Sequence, residues 1–294
     1  MRLVTLHADT PYRMYKEGLP FTSHSLHVSL RDLSVFDEVL SVFAFFSDEK
    51  LPDEVLFREF FNMKAHLDSA LASCRLPEKN RFLYALEDAR LLDGDETRLL
   101  ALYEAGVRII TPLWRGHTCI GGAFDTDIGL SDFGKRALWR ALSLGMIPDI
   151  SHASERSAED IFRLASDSHT PVLATHSNAY GVYGHKRNLR DHQLDSIIAG
   201  GGLVGISFAP QHLCPEGNAS ITHVLRHIHY YLEKGAEDAL ALGCDFDGIE
   251  RTPTGISRMG ELPRLYEQLE KRYSARLADK LFYENAASFF ERVI

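Results

Sequence analysis

The sequence predicts an α/β protein, a single (β/α)8 TIM-type barrel over residues 1–294, and three observations lead there. The length suits one closed barrel with its outer ring of helices. Eight short β-like runs alternate with helical patterns, the signature of a parallel sheet. No linker, charge block, low-complexity tract or internal repeat divides the chain. The competing architecture, an open doubly wound sheet, would carry a glycine-rich turn opening a helix directly after a strand. The glycine run at 200–202 instead follows a helical pattern and precedes a strand, so it reads as a helix stop.

In chain order, the first run is 2–6 (RLVTL) and the second is 40–46 (LSVFAFF). A helix over 53–73 follows, with Leu56, Phe57, Phe60, Phe61, Ala65 and Leu71 at helical spacing. The aromatic stripe Phe45, Phe46, Phe57, Phe60 and Phe61 reads as core. The third run is 82–86 (FLYAL) and the fourth is 107–111 (VRIIT). After a long loop comes a helix over 131–144, closed by Gly145 ahead of the fifth run, 146–150 (MIPDI). Ser154 is placed to cap a helix covering 157–166. The sixth run, 171–175 (PVLAT), precedes a helix over 189–199, and the seventh, 203–208 (LVGISF), a helix over 221–234. The eighth, 239–244 (ALALGC), is followed by helical stretches at 259–272 and 275–293.

Composition narrows the function. Hydrophobic residues at 45 % and charged residues at 25 % are a globular balance and argue against disorder. The 32 Lys and Arg are outnumbered by 41 Asp and Glu, for a formal charge of −9, which excludes a general nucleic-acid binder. Cys74, Cys119, Cys214 and Cys244 form no C-x-x-C pair, so reduced thiols and a cytoplasmic setting are expected. The opening MRLVTLHADTPYR turns polar after six residues, and no segment is long and apolar enough for a bilayer, so neither secretion nor membrane insertion is expected.

A barrel builds its active site at the C-terminal ends of its strands. The first run ends in His7-Ala8-Asp9, the third in Glu87, the fifth in Ser151-His152, the sixth in His176 and the eighth in Asp245-Phe246-Asp247. Taken singly, each has an ordinary explanation as a turn, cap or core residue. Taken together, they place imidazole or carboxylate at five of eight ends, and only one concave face would collect them. His7 and Asp9, two apart on an extended segment, should point the same way. Imidazole and carboxylate without thiolate suit zinc or a similar divalent ion in a hydrolytic site. Three His with Asp and Glu exceed what one open catalytic ion needs, and suit two ions sharing a carboxylate. A serine nucleophile is disfavoured, because G-x-S-x-G is absent.

At LHADT, LYEAGVRIIT, GLSDFGKRALWRALSLGMIPDISHAS, PVLATHSNAYGVYGHKRNLRD, GCDFDG and ENAASFFERV the chain resembles the zinc-dependent membrane dipeptidase (renal dipeptidase) family, one of the amidohydrolase-like, metallo-dependent hydrolase barrels. The resemblance implies that His7 and Asp9 bind one zinc, that His152 and His176 bind the second, and that Glu87 bridges the two. It implies that Arg187 clamps the substrate carboxylate, and that Asp245, rather than Asp247, orients the bridging water and shuttles a proton. Three positions depart from the family pattern. Ala8 stands where Asn- or Cys-like residues are frequent. Asp88-Ala89-Arg90 replaces glycines after Glu87. Trp114 occupies the place of a substrate-contacting His, with His117 three residues later as a possible substitute.

The remaining polar residues are read as scaffold: His223 and His227 as a solvated helix face, His24 and His27 as structural, Asp125 and Asp127 as a solvated loop. Tyr183 is read in the same way as those two aspartates, and His185 and His192 are secondary candidates for substrate contact. The expected function is a binuclear-zinc hydrolase with two Zn2+ per chain, or another divalent metal, cleaving dipeptides through a metal-bridging hydroxide. The alternatives are an amidohydrolase of the same fold acting on N-acyl amino acids, lactams or lactones, and a non-catalytic barrel that binds a small ligand. The expected partner is a small dipeptide-like substrate, with no nucleic acid and no membrane, and the expected assembly is a homodimer.

Overall fold

The structure is a computed structural model and describes residues 1–294. Eight parallel strands form one sheet: β1 (Arg2–Ala8), β2 (Glu38–Phe46), β3 (Asn80–Glu87), β4 (Val107–Thr111), β5 (Ile147–Pro148), β6 (Leu173–Ala174), β7 (Leu203–Ser207) and β8 (Leu240–Phe246). Their order, β5-β4-β3-β2-β1-β8-β7-β6, wraps round until β5 and β6 meet. There the Asp149–Leu173 bridge joins the two edges, and Ile150 N–H donates to the Leu173 carbonyl at 2.8 Å. The result is the expected (β/α)8 barrel.

All eight runs are strands; the fourth matches β4 residue for residue, and the ends of the others differ from the sequence reading. β1 and β8 reach past their apolar runs to include His7 and Asp245. Hydrophobic pattern marks what is buried among apolar neighbours, and it stops where polar side chains begin although the ladder continues. β5 and β6 shrink to two residues each, because the chain there bends into the site loops. The helices Thr10–Glu17 and Arg98–Glu104 lie outside the helical stretches read from the sequence; both are short. The predicted cap holds: Ser157 N–H donates to the Ser154 hydroxyl at 3.0 Å and starts the helix Glu155–Asp167.

Along β2, Val39, Phe43 and Phe45 face the surrounding helices, while Val42 and Ala44 face the barrel axis. The axial layer also contains Val4, Leu6, Ala85, Ile109, Leu173 and Ala241, closed below by Phe289 and Phe290 of the helix Asn285–Val293. Above this apolar floor the inward positions turn polar, and that change of layer creates the site.

Candidate metal centre and its pocket

Strict alternation after Val4 and Leu6 would send His7 outward. Between Thr5 and Ala8 the register with β2 slips, three residues of β1 advancing against two of β2. Such a bulge re-aims a side chain, and here it turns His7 inward. Asp9 is not extended: it starts the helix Thr10–Glu17 with φ −85° and ψ 25°. The pair meets as expected, His7 Nε2 to Asp9 Oδ2 at 3.4 Å, but by bulge and helix start rather than by alternation.

Glu87 stands at the centre. Its Oε2 lies 3.5 Å from His7 Nε2, and its Oε1 lies 3.1 Å from His152 Nε2 and 3.5 Å from His176 Nε2. One carboxylate therefore turns one oxygen to each of two donor sets, His7/Asp9/Glu87 and Glu87/His152/His176, within each of which the ligand atoms lie within 4.8 Å of one another. Asp245 closes a third group with His7 and His176. The structure thus brings together every metal-ligating residue expected from the sequence.

Divalent ions fit this donor set. His7 Nε2 and Asp9 Oδ1 are buried without any hydrogen-bond partner. Orphaned polar atoms of this kind are costly unless something binds them. The Nε2 atoms of His152 and His176 face each other at 2.9 Å, an arrangement that a shared electrophile would hold. Gly248 leaves the space above the carboxylates free: a Cβ there would stand 2.1 Å from Asp9 Oδ2 and 2.8 Å from Asp245 Oδ1. His152 donates from Nδ1 to the Trp114 carbonyl at 2.9 Å, which leaves its Nε2 lone pair for a ligand role.

Electrostatics separate the carboxylates. Burial opposes ionisation of Glu87, but His7 and His152 outweigh it and hold the group well below the usual carboxylate range. Burial pushes Asp245 up to about 7, against the pull of His7. Backbone strain marks the same places, with φ +69° at His152 and +66° at Asp245, a region that non-glycine residues rarely adopt.

A cavity of about 230 Å³ opens over these residues, walled by Tyr12, Phe46, Trp114, Phe124 and Ile249. Arg187 forms part of its floor at 5 % exposure. Its Nη2 donates to the His176 carbonyl at 3.4 Å and its Nε has no partner, so most of the guanidinium fork is unused. A larger recess of about 490 Å³ at the opposite end of the barrel, near Leu203 and Ala239, is lined by Arg276, Lys280 and Arg292 and brings no such donor set together.

Asp247 is occupied structurally. It accepts from the Thr10 hydroxyl (2.7 Å), His27 N–H (2.7 Å), Val28 N–H (3.2 Å) and Arg13 Nη1 (3.2 Å). His27 accepts the Asp247 N–H at 3.0 Å, in keeping with a scaffold role. Trp114 lines the cavity, whereas His117 is exposed and outside it. Asp125, Asp127 and His192 are exposed as well. His185 accepts the Arg187 N–H at 3.1 Å and packs against His212 with the rings tilted by 39°.

Two readings are overturned. Phe61, read as core, lies on the exposed face of the helix Asp53–Ala72. His227 is fully buried, not solvated. It accepts from Ala179 N–H at 3.0 Å and pairs with the Leu213 carbonyl at 3.1 Å, binding its helix to the loop after β6. His212 lines the cavity and escaped the sequence reading. Its signal was position: it follows the seventh run by four residues, on the single turn Pro210–Leu213.

The sequence pattern of the membrane dipeptidase family, peptidase family M19, matches residues 56–293. That span contains Glu87, His152, His176, Arg187 and Asp245; His7 and Asp9 precede it. An uncharacterized protein in the pqqA 5′ region of Klebsiella pneumoniae is 35 % identical over 225 residues, or 72 % of this chain and 82 % of that one. An uncharacterized dipeptidase of Schizosaccharomyces pombe is 30 % identical over 217 residues, 71 % of this chain and 51 % of its own length. Dipeptidase AC, a metallopeptidase of family M19, superposes with a TM-score of 0.90 at 26 % identity, covering 100 % of this chain and 98 % of that one. A metallopeptidase from Rhodobacter sphaeroides, liganded there with a phosphinate mimic of L-Ala-D-Ala, shares the fold with a TM-score of 0.90 at 24 % identity, covering 100 % and 99 %.

Proposed function

The chain belongs to the membrane dipeptidase family, peptidase family M19, and from that premise we propose a dipeptide hydrolase that uses two divalent ions, zinc first among them. The observation that carries the reading is Glu87, with one oxygen turned to each donor set. His7 and Asp9 would hold one ion, His152 and His176 the other, and Glu87 both. Bound there, the ions supply Lewis acidity and lower the pKa of a shared water.

The chain's own residues supply the rest. Arg187 offers a planar fork to the substrate's C-terminal carboxylate, in a pocket where burial strengthens that pairing. The aromatic wall of Tyr12, Phe46, Trp114 and Phe124 excludes bulk water from the amide. Asp245 accepts a proton from the attacking water as oxygen bonds to the carbonyl carbon. It returns that proton to the departing nitrogen as the C–N bond breaks, so one water and one dipeptide become two amino acids. A carboxyl raised to about 7 is matched to both halves of that transfer.

Trp114 favours a second reading. Arg187 would select a free carboxylate whatever the acyl group, and the altered wall suits N-acyl amino acids as well. Metal analysis of the purified protein, with a panel of L,L and L,D dipeptides and N-acyl amino acids, separates the two. We expect up to two ions per chain and dipeptide turnover. Glu87→Gln should deplete both ions together, and unchanged occupancy in that variant would refute the shared carboxylate. Turnover of N-acyl amino acids alone would move the assignment to the second reading.

A further inference from the structure

We propose that the hydroxyl of Thr175 is a positioning group for both halves of the metal centre, fixing through one oxygen the imidazole of His7 in one donor set and of His176 in the other. The inference rests on the metal centre proposed above.

Thr175 Oγ1 is buried and has three neighbours: Asp149 Oδ2 at 2.5 Å, His176 Nδ1 at 2.9 Å and His7 Nδ1 at 3.3 Å. A hydroxyl has one proton to give and two lone pairs to receive with. The proton has a clear destination. Asp149 is itself fully buried and accepts from Ser151 N–H at 2.8 Å, Thr175 N–H at 3.0 Å and the Thr111 hydroxyl at 2.6 Å. Three other donors already converge on these two oxygens, the acceptor pattern of an ionised carboxylate, and the Thr175 proton makes the fourth.

Thr175 therefore faces the imidazoles with lone pairs only, and each ring must present N–H at Nδ1. A neutral imidazole protonated at Nδ1 has its lone pair on Nε2. Those are the atoms that converge on Glu87, and one of them, His7 Nε2, is the orphan of the site. The other histidine, His152, is fixed separately by the Trp114 carbonyl. The hydroxyl thus joins His7, 168 positions before it in sequence, to the adjacent His176, one residue from each proposed ion. A carboxylate beneath it also makes its oxygen a better acceptor, which raises the basicity of both ligands.

The test compares Thr175→Val, Thr175→Ser and Thr111→Val. Thr111→Val takes a hydroxyl from the same carboxylate without touching either imidazole, so it controls for general loosening. Zinc affinity is measured by titration against a competing chelator. Thr175→Val should weaken both zinc sites by about 10–100-fold, the usual cost of losing an outer partner of a ligand. Thr175→Ser should restore them, and Thr111→Val should leave them unchanged. In parallel, long-range 1H–15N spectra of the 15N-histidine-labelled protein follow the Nδ1–H signals of His7 and His176, identified by their loss in His7→Gln and His176→Gln. Both signals should shift in Thr175→Val and persist in Thr175→Ser. Wild-type zinc affinity at both sites in Thr175→Val, or equal weakening in Thr111→Val, would overturn the inference while the metal centre stood. A wild-type chain that took up no zinc would overturn the metal centre instead. The zinc-free spectra would then decide, since unmoved Nδ1–H signals in Thr175→Val also overturn the inference.

Discussion

His152 and Trp114 are joined through the main chain: the imidazole donates from Nδ1 to the Trp114 carbonyl at 2.9 Å, while the indole packs edge-on against Phe46 at 4.9 Å. The side chain at 114 is therefore free to vary without loosening the histidine. Trp114→Ala should keep its metals and lose catalytic efficiency, by up to about 10²-fold if substrate is left misplaced. Metal content and kcat/KM measured on the same preparation check this, and metal loss would count against the backbone tie.

Asp245 and Asp247 should fail in different ways. Asp245→Asn keeps its metals and its fold and loses roughly 10²–10⁴-fold in kcat, the cost of a missing general acid–base. Asp247 instead gathers four donors from the helix Thr10–Glu17 and the 27–28 loop. Bonds to a charged group are worth about 1.5–3 kcal/mol. Asp247→Asn should therefore lower stability by about 2 kcal/mol in denaturant titration. Near-wild-type turnover in Asp245→Asn, metals intact, would show that the proton takes another route.

Arg187→Lys keeps the charge but gives up the fork. The expected result is a KM about 10–100-fold higher for substrates with a free carboxylate, from the loss of one charge-assisted bond of about 1.5–3 kcal/mol. C-terminal amides of the same substrates should be nearly indifferent. An equal penalty on acid and amide would remove Arg187 from substrate recognition.

His227 should confer acid sensitivity on the fold. Burial lowers its pKa from 6.5 to about 4, and its Nδ1 is already an acceptor for Ala179 N–H, so protonation breaks that bond. Below pH 6.5 the unfolded chain binds the proton and the folded chain does not, so stability is full above that pH and falls as pH drops toward about 4. The contribution is about 3 kcal/mol. His227→Gln cannot take up the proton, so its difference in unfolding free energy between pH 8 and pH 4.5 should be smaller than wild type's. Equal differences would place the acid sensitivity elsewhere.

What the sequence disclosed, and what it withheld, follows from how far apart the contacts lie. His7, Asp9, Glu87, His152, His176 and Asp245 are legible because each lies within three residues of the end of an apolar run, and a barrel sends all such ends to one rim. Arg187 was legible only through the resemblance. His227 was misread because an i, i+4 histidine pair on a helix looks the same whether a loop from β6 covers it or water does. His212 sits on a single helical turn too short to leave a pattern. Thr175, Thr111 and Asp149 carry no signal at all: they belong to three different strand ends, and their shared hydrogen bonds exist only once the barrel closes.

The closure of the barrel between β5 and β6 gives the proposed metal a mechanical part. Every other junction in the ring is a ladder of paired residues, but this one is a single bridge, Asp149 to Leu173. His152 lies just beyond β5 and His176 just beyond β6. An ion held by those two imidazoles would be a rivet across the joint with the fewest backbone pairings, added to the Thr175–Asp149 side-chain bond that already spans it.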